Sequence, residues 1–237
     1  FAKFQGKQPV MVIGTQKGRD MRSNVYRNFG WPSPEGYRKA MRLMQLADRA
    51  DVPVITFVDT PGAYPGKGAE SRGMSEAIAH NLWEMSTLTV PLITVITGEG
   101  GSGGALALAV SDKIHMMENA TFSVITPEGC ASILFKDSSL APKAAEALKL
   151  DAESVQALGV IDDIISEGRQ ILTHPEEAFE AVRQVLIRDL KALIPLSPED
   201  LLETRYRKFR DMGRLKREMS EEDFAESSPT FRIAKPF

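Results

Sequence analysis

One cysteine, Cys130, and three histidines, His80, His115 and His174, are all that this 237-residue chain offers of those two residue types. A lone thiol closes no internal disulfide, and it fits a reducing compartment such as the cytoplasm. The histidines are scattered without ligand spacing. Each therefore reads as a surface or structural residue, and no bound metal is expected. No apolar run is long enough to span a membrane. Net charge is only −3, so there is no global electrostatic case for nucleic acid. The chain opens on Phe1 in a strand-like context, which suggests a fragment of a longer polypeptide and leaves targeting unread.

A hydrophobic content of 43% is enough for a sizeable core. The expected division is one domain over residues 1–195, then a C-terminal helix and polar tail over 196–237. In the tail helix, Leu202, Tyr206, Phe209, Met212, Leu215 and Met219 mark one face among many charges. That face suits packing on a neighbouring helix or docking of a partner subunit.

The centre of the chain repeats itself. Val52-Pro53-Val54-Ile55-Thr56-Phe57-Val58 and Val90-Pro91-Leu92-Ile93-Thr94-Val95-Ile96 are near copies 38 residues apart, each a continuous apolar, β-branched run. Such runs predict strands covered on both faces. Pro9–Ile13 and Thr121–Ile125 read as two more. Glycine- or proline-rich turns follow each strand, then helices, which gives an α/β architecture with its special turns at strand carboxyl ends. Ser33-Pro34-Glu35, Thr126-Pro127-Glu128 and Ser197-Pro198-Glu199 each place a capping hydroxyl, a proline and a carboxylate at a helix start. The first predicts a helix to about Ala50 with Ala40, Leu43, Met44 and Ala47 facing inward.

The most informative segment is Thr97-Gly98-Glu99-Gly100-Gly101-Ser102-Gly103-Gly104-Ala105-Leu106, which joins the second strand to a predicted short helix from Gly103 to about Ser111. Five glycines leave backbone amides unshielded at a helix start, where an anionic oxygen is favoured. Three motifs overlap here. Gly98-x-Gly100-x-x-Gly103, with Glu118 twenty residues beyond Gly98, fits a dinucleotide fingerprint. Gly100-x-Ser102-x-Gly104 fits a nucleophile elbow, although on this reading four residues, Gly98 to Gly101, separate Ser102 from its strand. The third reading is an oxyanion hole of backbone amides without a side-chain nucleophile.

Other signals are weaker. Asp59-Thr60-Pro61-Gly62 matches a GTPase switch, but the glycine segment from Gly62 to Gly68 lacks the phosphate-loop hydroxyl. Cys130 follows a capped helix start, which lowers a thiol pKa, yet no base is matched to it. Lys17, Arg19, Arg22, Arg27, Arg38, Lys39 and Arg42 form a basic stretch that suits either plain solvation or an acidic partner.

Taken together, Asp59-Thr60-Pro61-Gly62-Ala63-Tyr64-Pro65-Gly66, the glycine run and Pro127-Glu128-Gly129-Cys130-Ala131-Ser132 resemble, in order and spacing, the carboxyltransferase alpha subunit of multi-subunit acetyl-CoA carboxylase. Arg27-Asn28-Phe29-Gly30 and Pro34-Glu35-Gly36-Tyr37-Arg38-Lys39-Ala40 add to the match, which runs from Phe1 to about Ile165. The 166–174 segment departs from the family's glycine-rich loop. The resemblance implies a crotonase-like (ClpP/crotonase) ββα spiral with a C-terminal helical extension. It also implies transfer of a carboxyl group from carboxybiotin, held on a separate biotin carboxyl carrier protein, to acetyl-CoA, giving malonyl-CoA for fatty acid synthesis. Gly103 and Gly104 match the family's biotin-side oxyanion glycines, and Gly62, Ala63, Gly100, Gly101 and Ser102 are expected to line the substrate. A carboxyltransferase beta subunit would supply a second oxyanion site for the thioester within an α2β2 hetero-oligomer. Two alternatives remain at this stage: a ClpP-like serine hydrolase using Ser102 with His115 or His174 as base, and a non-catalytic assembly subunit.

Overall fold

The computed structural model describes residues 1–168, 171 and 173–213. Strand β1 (Ala2–Phe4) pairs antiparallel with β2 (Gln8–Gly14). The chain then runs through α1 (Met21–Tyr26), a single 3-10 turn over Asn28–Gly30, α2 (Pro34–Arg49), β3 (Val54–Thr60), α3 (Lys67–Glu70) and α4 (Met74–Thr87). Strand β4 (Leu92–Gly101) leads into α5 (Ser102–Leu106), followed by β5 (Lys113–Met117), β6 (Thr121–Ser123), α6 (Pro127–Leu134), α7 (Ala141–Leu148) and α8 (Ala152–Ala157). Strand β7 (Asp163–Ile165) and the helices α9 (Pro175–Leu193) and α10 (Pro198–Asp211) complete the described fold. The sheet order is β1-β2-β3-β4-β5-β7, parallel from β2 onward, with β6 alongside the carboxyl end of β4.

The 38-residue repeat has a direct structural meaning. Strands β3 and β4 are neighbours, and Val54 to Val58 face Leu92 to Ile96 pair by pair at that offset. After Val58 the register slips, so that Thr60 lies opposite Gly100. The slip releases the backbone at Gly98 and Glu99, where Asp59 Oδ1 accepts the Glu99 amide at 2.9 Å. A Cβ on Gly98 would sit 2.6 Å from the same carboxylate oxygen, so a side chain there would displace the Asp59 carboxylate.

Both faces of the central strands are buried, as the apolar runs predict: Ile93, Val95 and Ile96 have no exposed surface. The three hydroxyl caps form as expected, with Ser33, Thr126 and Ser197 accepting the amides of Gly36, Gly129 and Asp200. Helix α2 buries Ala40, Met44 and Ala47, together with Tyr37 and Met41, against the sheet; Leu43 is half-buried.

Three expectations need correction. The helix after the glycine run ends at Leu106 instead of near Ser111. Side chains take the carbonyls that a longer helix would use: Asn81 Nδ2 donates to the Ala107 oxygen at 3.1 Å, and Thr56 Oγ1 to the Leu108 oxygen at 2.8 Å. The expected strand over Thr121–Ile125 stops at Ser123, whose Oγ donates to the Ile125 oxygen at 2.8 Å and turns the chain. On α10 the buried positions are Leu201 and Arg205, whereas Tyr206 is 62% exposed, so the inward face is rotated one residue from the apolar stripe. Leu215, Met219 and the rest of the expected tail lie outside the described residues, as do Arg169, Gln170 and Leu172 of the 166–174 segment.

Candidate functional site

At the carboxyl ends of β3 and β4 two backbone segments meet. Thr60 stops β3: its hydroxyl accepts the Gly62 amide at 3.2 Å and donates to the Gly62 oxygen, folding the chain into a tight turn. Gly62 holds φ +142, a conformation that needs glycine. The turn lies against the start of α5. A Cβ on Gly101 would stand 2.8 Å from the Gly62 nitrogen, and one on Gly104 would stand 2.6 Å from the Gly62 oxygen and 2.7 Å from the Ala63 nitrogen. Two glycines of the run are therefore fixed by close backbone approach. Gly103 is different, since its Cβ would meet only Ile78, at 3.6 Å.

No side chain caps α5, so the amides at its first turn have neither an intrahelical partner nor a side-chain acceptor. Tyr37 reaches up from α2 and donates its hydroxyl to the Gly104 oxygen at 3.1 Å, anchoring the helix from below. Burial pushes the Tyr37 phenol well above its ordinary range, which keeps it a neutral donor. Gly62, Ala63, Gly103 and Gly104 are thus brought together. Gly100 is buried beneath β6, where a Cβ would stand 2.8 Å from the Phe122 ring.

Gly101 and Ser102 face a cavity of about 220 Å³ whose other walls include Pro61, Glu99, Thr121 and Thr126. Beyond it, Lys17 is ion-paired to both Asp59, at 2.9 Å, and Glu99. Burial disfavours the Lys17 charge, but the hydrogen bonds it donates to these two carboxylates outweigh it and raise the pKa above the ordinary lysine value. This cluster ties the β2, β3 and β4 ends together at the edge of the glycine run, and sequence reasoning placed Lys17 only within a basic stretch. The recoverable signal was the slip in an otherwise regular 38-residue repeat.

The strand context of Ser102 also differs from expectation. Strand β4 runs through Gly101, so Ser102 follows it directly and adopts φ +50, the strained geometry of a nucleophile elbow. No histidine serves it. His115 is fully buried on β5 opposite Val95, about 20 Å back along the sheet at a rise of roughly 3.3 Å per residue. Its Nε2 is bound to Asp189 of α9. His174 is exposed ahead of α9 and bonded to Thr173 at 2.9 Å, while His80 is exposed on α4. Cys130 is buried on α6 against Ala131 and Ala144. Among the described residues no cluster of His, Cys, Asp or Glu could hold a metal ion, and no helix is long and apolar enough to cross a membrane.

The parallel sheet with its flanking helices is of the crotonase-like class, and solved structures align with it. One protein of a Pseudomonas malonate decarboxylase hetero-dimer aligns with TM-score 0.68 over 88% of this chain and 85% of its own, at 19% identity. A transcarboxylase 12S crystal structure aligns with TM-score 0.60 over 69% of this chain and 32% of its own, at 23% identity. The family model described as acetyl co-enzyme A carboxylase carboxyltransferase-like matches residues 1–213. The chain belongs to that family. Among curated relatives, the acetyl-coenzyme A carboxylase carboxyl transferase subunit alpha of Geobacter metallireducens is 59% identical over 90% of this chain and 67% of its own length. That of Geobacillus kaustophilus is 55% identical over 90% of this chain and 66% of its own length. The chain thus spans about two thirds of these relatives.

The family and the isolation of Ser102 from any histidine together remove the hydrolase reading. Ser102→Ala is expected to leave turnover within about tenfold of wild type, because the amides around it stay in place. A loss beyond about 10³-fold, the scale of removing an essential catalytic group, or labelling of Ser102 by a fluorophosphonate, contradicts this.

Proposed function

We propose that this chain is the alpha half of an acetyl-CoA carboxylase carboxyltransferase. It would transfer a carboxyl group from biotin on a separate carrier protein to acetyl-CoA, giving malonyl-CoA. The observation that carries the reading is the close approach of the Gly62–Ala63 turn to the uncapped start of α5. The cavity of about 220 Å³ beside Gly101 and Ser102 suits a compact ring that carries a carbonyl oxygen.

Carboxybiotin, when bound, supplies the carboxyl group and a ureido oxygen on which negative charge develops. The chain's own contribution is electrostatic. Ala63 and the first turn of α5, at Gly103 and Gly104, would direct N–H dipoles at that oxygen in a site already shaped before reaction. Gly100 and Gly101 contribute indirectly, by letting β6 and the 61–62 turn pack closely against the end of β4. The Lys17–Asp59–Glu99 cluster fixes the strand ends that hold both segments. Gly62 shapes the turn and does not donate, because its amide is already bound to Thr60.

A second anion, on the acetyl-CoA carbonyl, needs its own donors. We assign these to a homologous beta subunit, with the pair working as an α2β2 assembly. The purified chain alone is therefore expected to form no malonyl-CoA, and addition of the beta subunit is expected to restore transfer. Sustained malonyl-CoA synthesis by the chain alone refutes the division of the site.

A further inference from the structure

Segment 14–43 carries seven lysines and arginines against two carboxylates, Asp20 and Glu35. The structure separates the cations into two groups. Lys17 is held by Asp59 and Glu99, and Arg38 by Glu76. Arg19, Arg22, Arg27, Lys39 and Arg42 form no ion pair among the described residues; Glu35 is paired with Arg72, and Asp20, which caps α1, offsets a single charge. An uncompensated positive field therefore surrounds α1 and the outer face of α2.

The same region is unusually apolar for an exposed surface. Helix α1 buries none of its residues, and Met21, Val25 and Tyr26 are 72%, 62% and 82% exposed. Next to it opens a cavity of about 440 Å³, lined by Gly14, Gln16, Arg27, Trp31, Lys39 and Leu43 among others. The surface is continuous with the candidate site. Trp31 packs edge-on against Tyr64, two residues after Gly62, with ring centroids 5.7 Å apart. A Cβ on Gly30 would lie 3.2 Å from the Asp59 oxygen at the end of β3.

We infer that this basic, apolar face receives an acidic protein domain, the one that carries the biotin arm to the site; this rests on the function proposed above. Charge complementarity selects an acidic partner. The exposed methionine, valine and tyrosine select a folded protein surface over a nucleic acid, which would pair with the cations and leave the apolar side chains in water. Position then selects the biotin carrier, because a domain seated on α1 can extend an arm past Trp31 and Tyr64 to the turn at Gly62 and Ala63. The unpaired arginines act at the rim, so they set encounter rate and salt dependence more than the chemistry at the glycines.

The test uses the full chain assembled with its beta subunit, comparing wild type with the Arg19→Glu/Arg22→Glu double variant. Both are assayed for transfer to acetyl-CoA from the carboxylated biotinyl carrier domain and from free carboxybiotin. The double variant is expected to raise KM for the carboxylated carrier at least tenfold at low salt while the rate with free carboxybiotin stays within twofold. Salt should weaken carrier use by wild type and barely affect the variant. An unchanged carrier KM, an equal loss with both donors, or loss of the beta subunit from the assembly overturns the assignment. So does a result in which the variant loses only affinity for a single-stranded oligonucleotide. Calorimetric titration of the carrier reads the surface independently of turnover. A wild type that binds the carrier but transfers from neither donor refutes the proposed function and leaves the docking face standing.

Discussion

Gly104→Val is expected to lower carboxyl transfer at least 10²-fold in the assembled enzyme. The reason differs from simple blocking of the substrate. A Cβ at this position points at the Gly62 oxygen and the Ala63 nitrogen, 2.6 and 2.7 Å away, so a side chain would drive the turn and helix α5 apart. On the function proposed above, separating them takes the Ala63 amide away from those at the start of α5, and loss of one such donor costs about 2.7–4 kcal/mol of transition-state stabilisation. Overpacking at a buried backbone contact adds a stability cost of about 1–3 kcal/mol, so assembly with the beta subunit and turnover must be measured on one preparation. Gly103→Ala is the control, because its Cβ meets only the Ile78 side chain at ordinary contact distance and the amide is kept. A Gly104→Val enzyme that assembles and loses less than tenfold in rate contradicts the oxyanion assignment.

Arg205→Ala is expected to destabilise the chain by about 3–5 kcal/mol, the scale of breaking a buried ion pair from one side. This is a large share of the roughly 5–15 kcal/mol that holds a domain folded. The Arg205 side chain is 2% exposed, and every donor of its guanidinium is used. Nε and Nη2 grip the Asp112 carboxylate at 2.8 and 2.9 Å, while Nη1 and Nη2 reach the carbonyls of Met85, Leu88 and Val90. Asp112 in turn accepts the Leu92 amide at 2.7 Å, so one arginine locks α10, the end of α4 and the start of β4 together. Truncation removes the cation that grips this buried carboxylate and leaves three carbonyls short of a donor. Arg205→Lys should recover only part of the loss, since an ammonium cannot reproduce the planar fork. Urea unfolding of the three proteins checks this, and a loss under about 1 kcal/mol for Arg205→Ala would show that α10 is held by its apolar contacts alone.

Arg205 also marks the limit of what the sequence discloses. In a helix with many lysines and arginines, nothing local distinguishes the one arginine that turns inward; its acceptors lie some 90 to 120 residues away in the chain. The apolar stripe through Tyr206 pointed to the adjacent face for the same reason. By contrast, the features set by neighbouring residues were legible. Continuous β-branched runs gave the central strands, and the 38-residue repeat corresponds to the register of β3 against β4. Hydroxyl-Pro-Glu triplets gave three helix starts. The short strands β1, β5 and β7 carry too few residues for a periodic signal, and β5 takes its place in the sheet through pairing with Ile93 to Ile96. At the site, the glycine run was identifiable as chemistry, but the reason for each glycine was not. Gly98 clears Asp59, Gly101 and Gly104 clear the 61–63 turn, and Gly103 stands in the open; only the tertiary contact between β3 and β4 separates these roles.

The central claim is that backbone amides on this chain support transfer of a carboxyl group to an acyl thioester. The most direct measurement follows the label from ¹⁴C-carboxylated biotin, supplied on its carrier to the complex of this chain and the beta subunit with acetyl-CoA present. The account predicts that label accumulates in malonyl-CoA and that acetyl-CoA is consumed in step with it. Release of the label to water as bicarbonate while acetyl-CoA is unchanged, or hydrolysis of acetyl-CoA to acetate and free CoA, would contradict it.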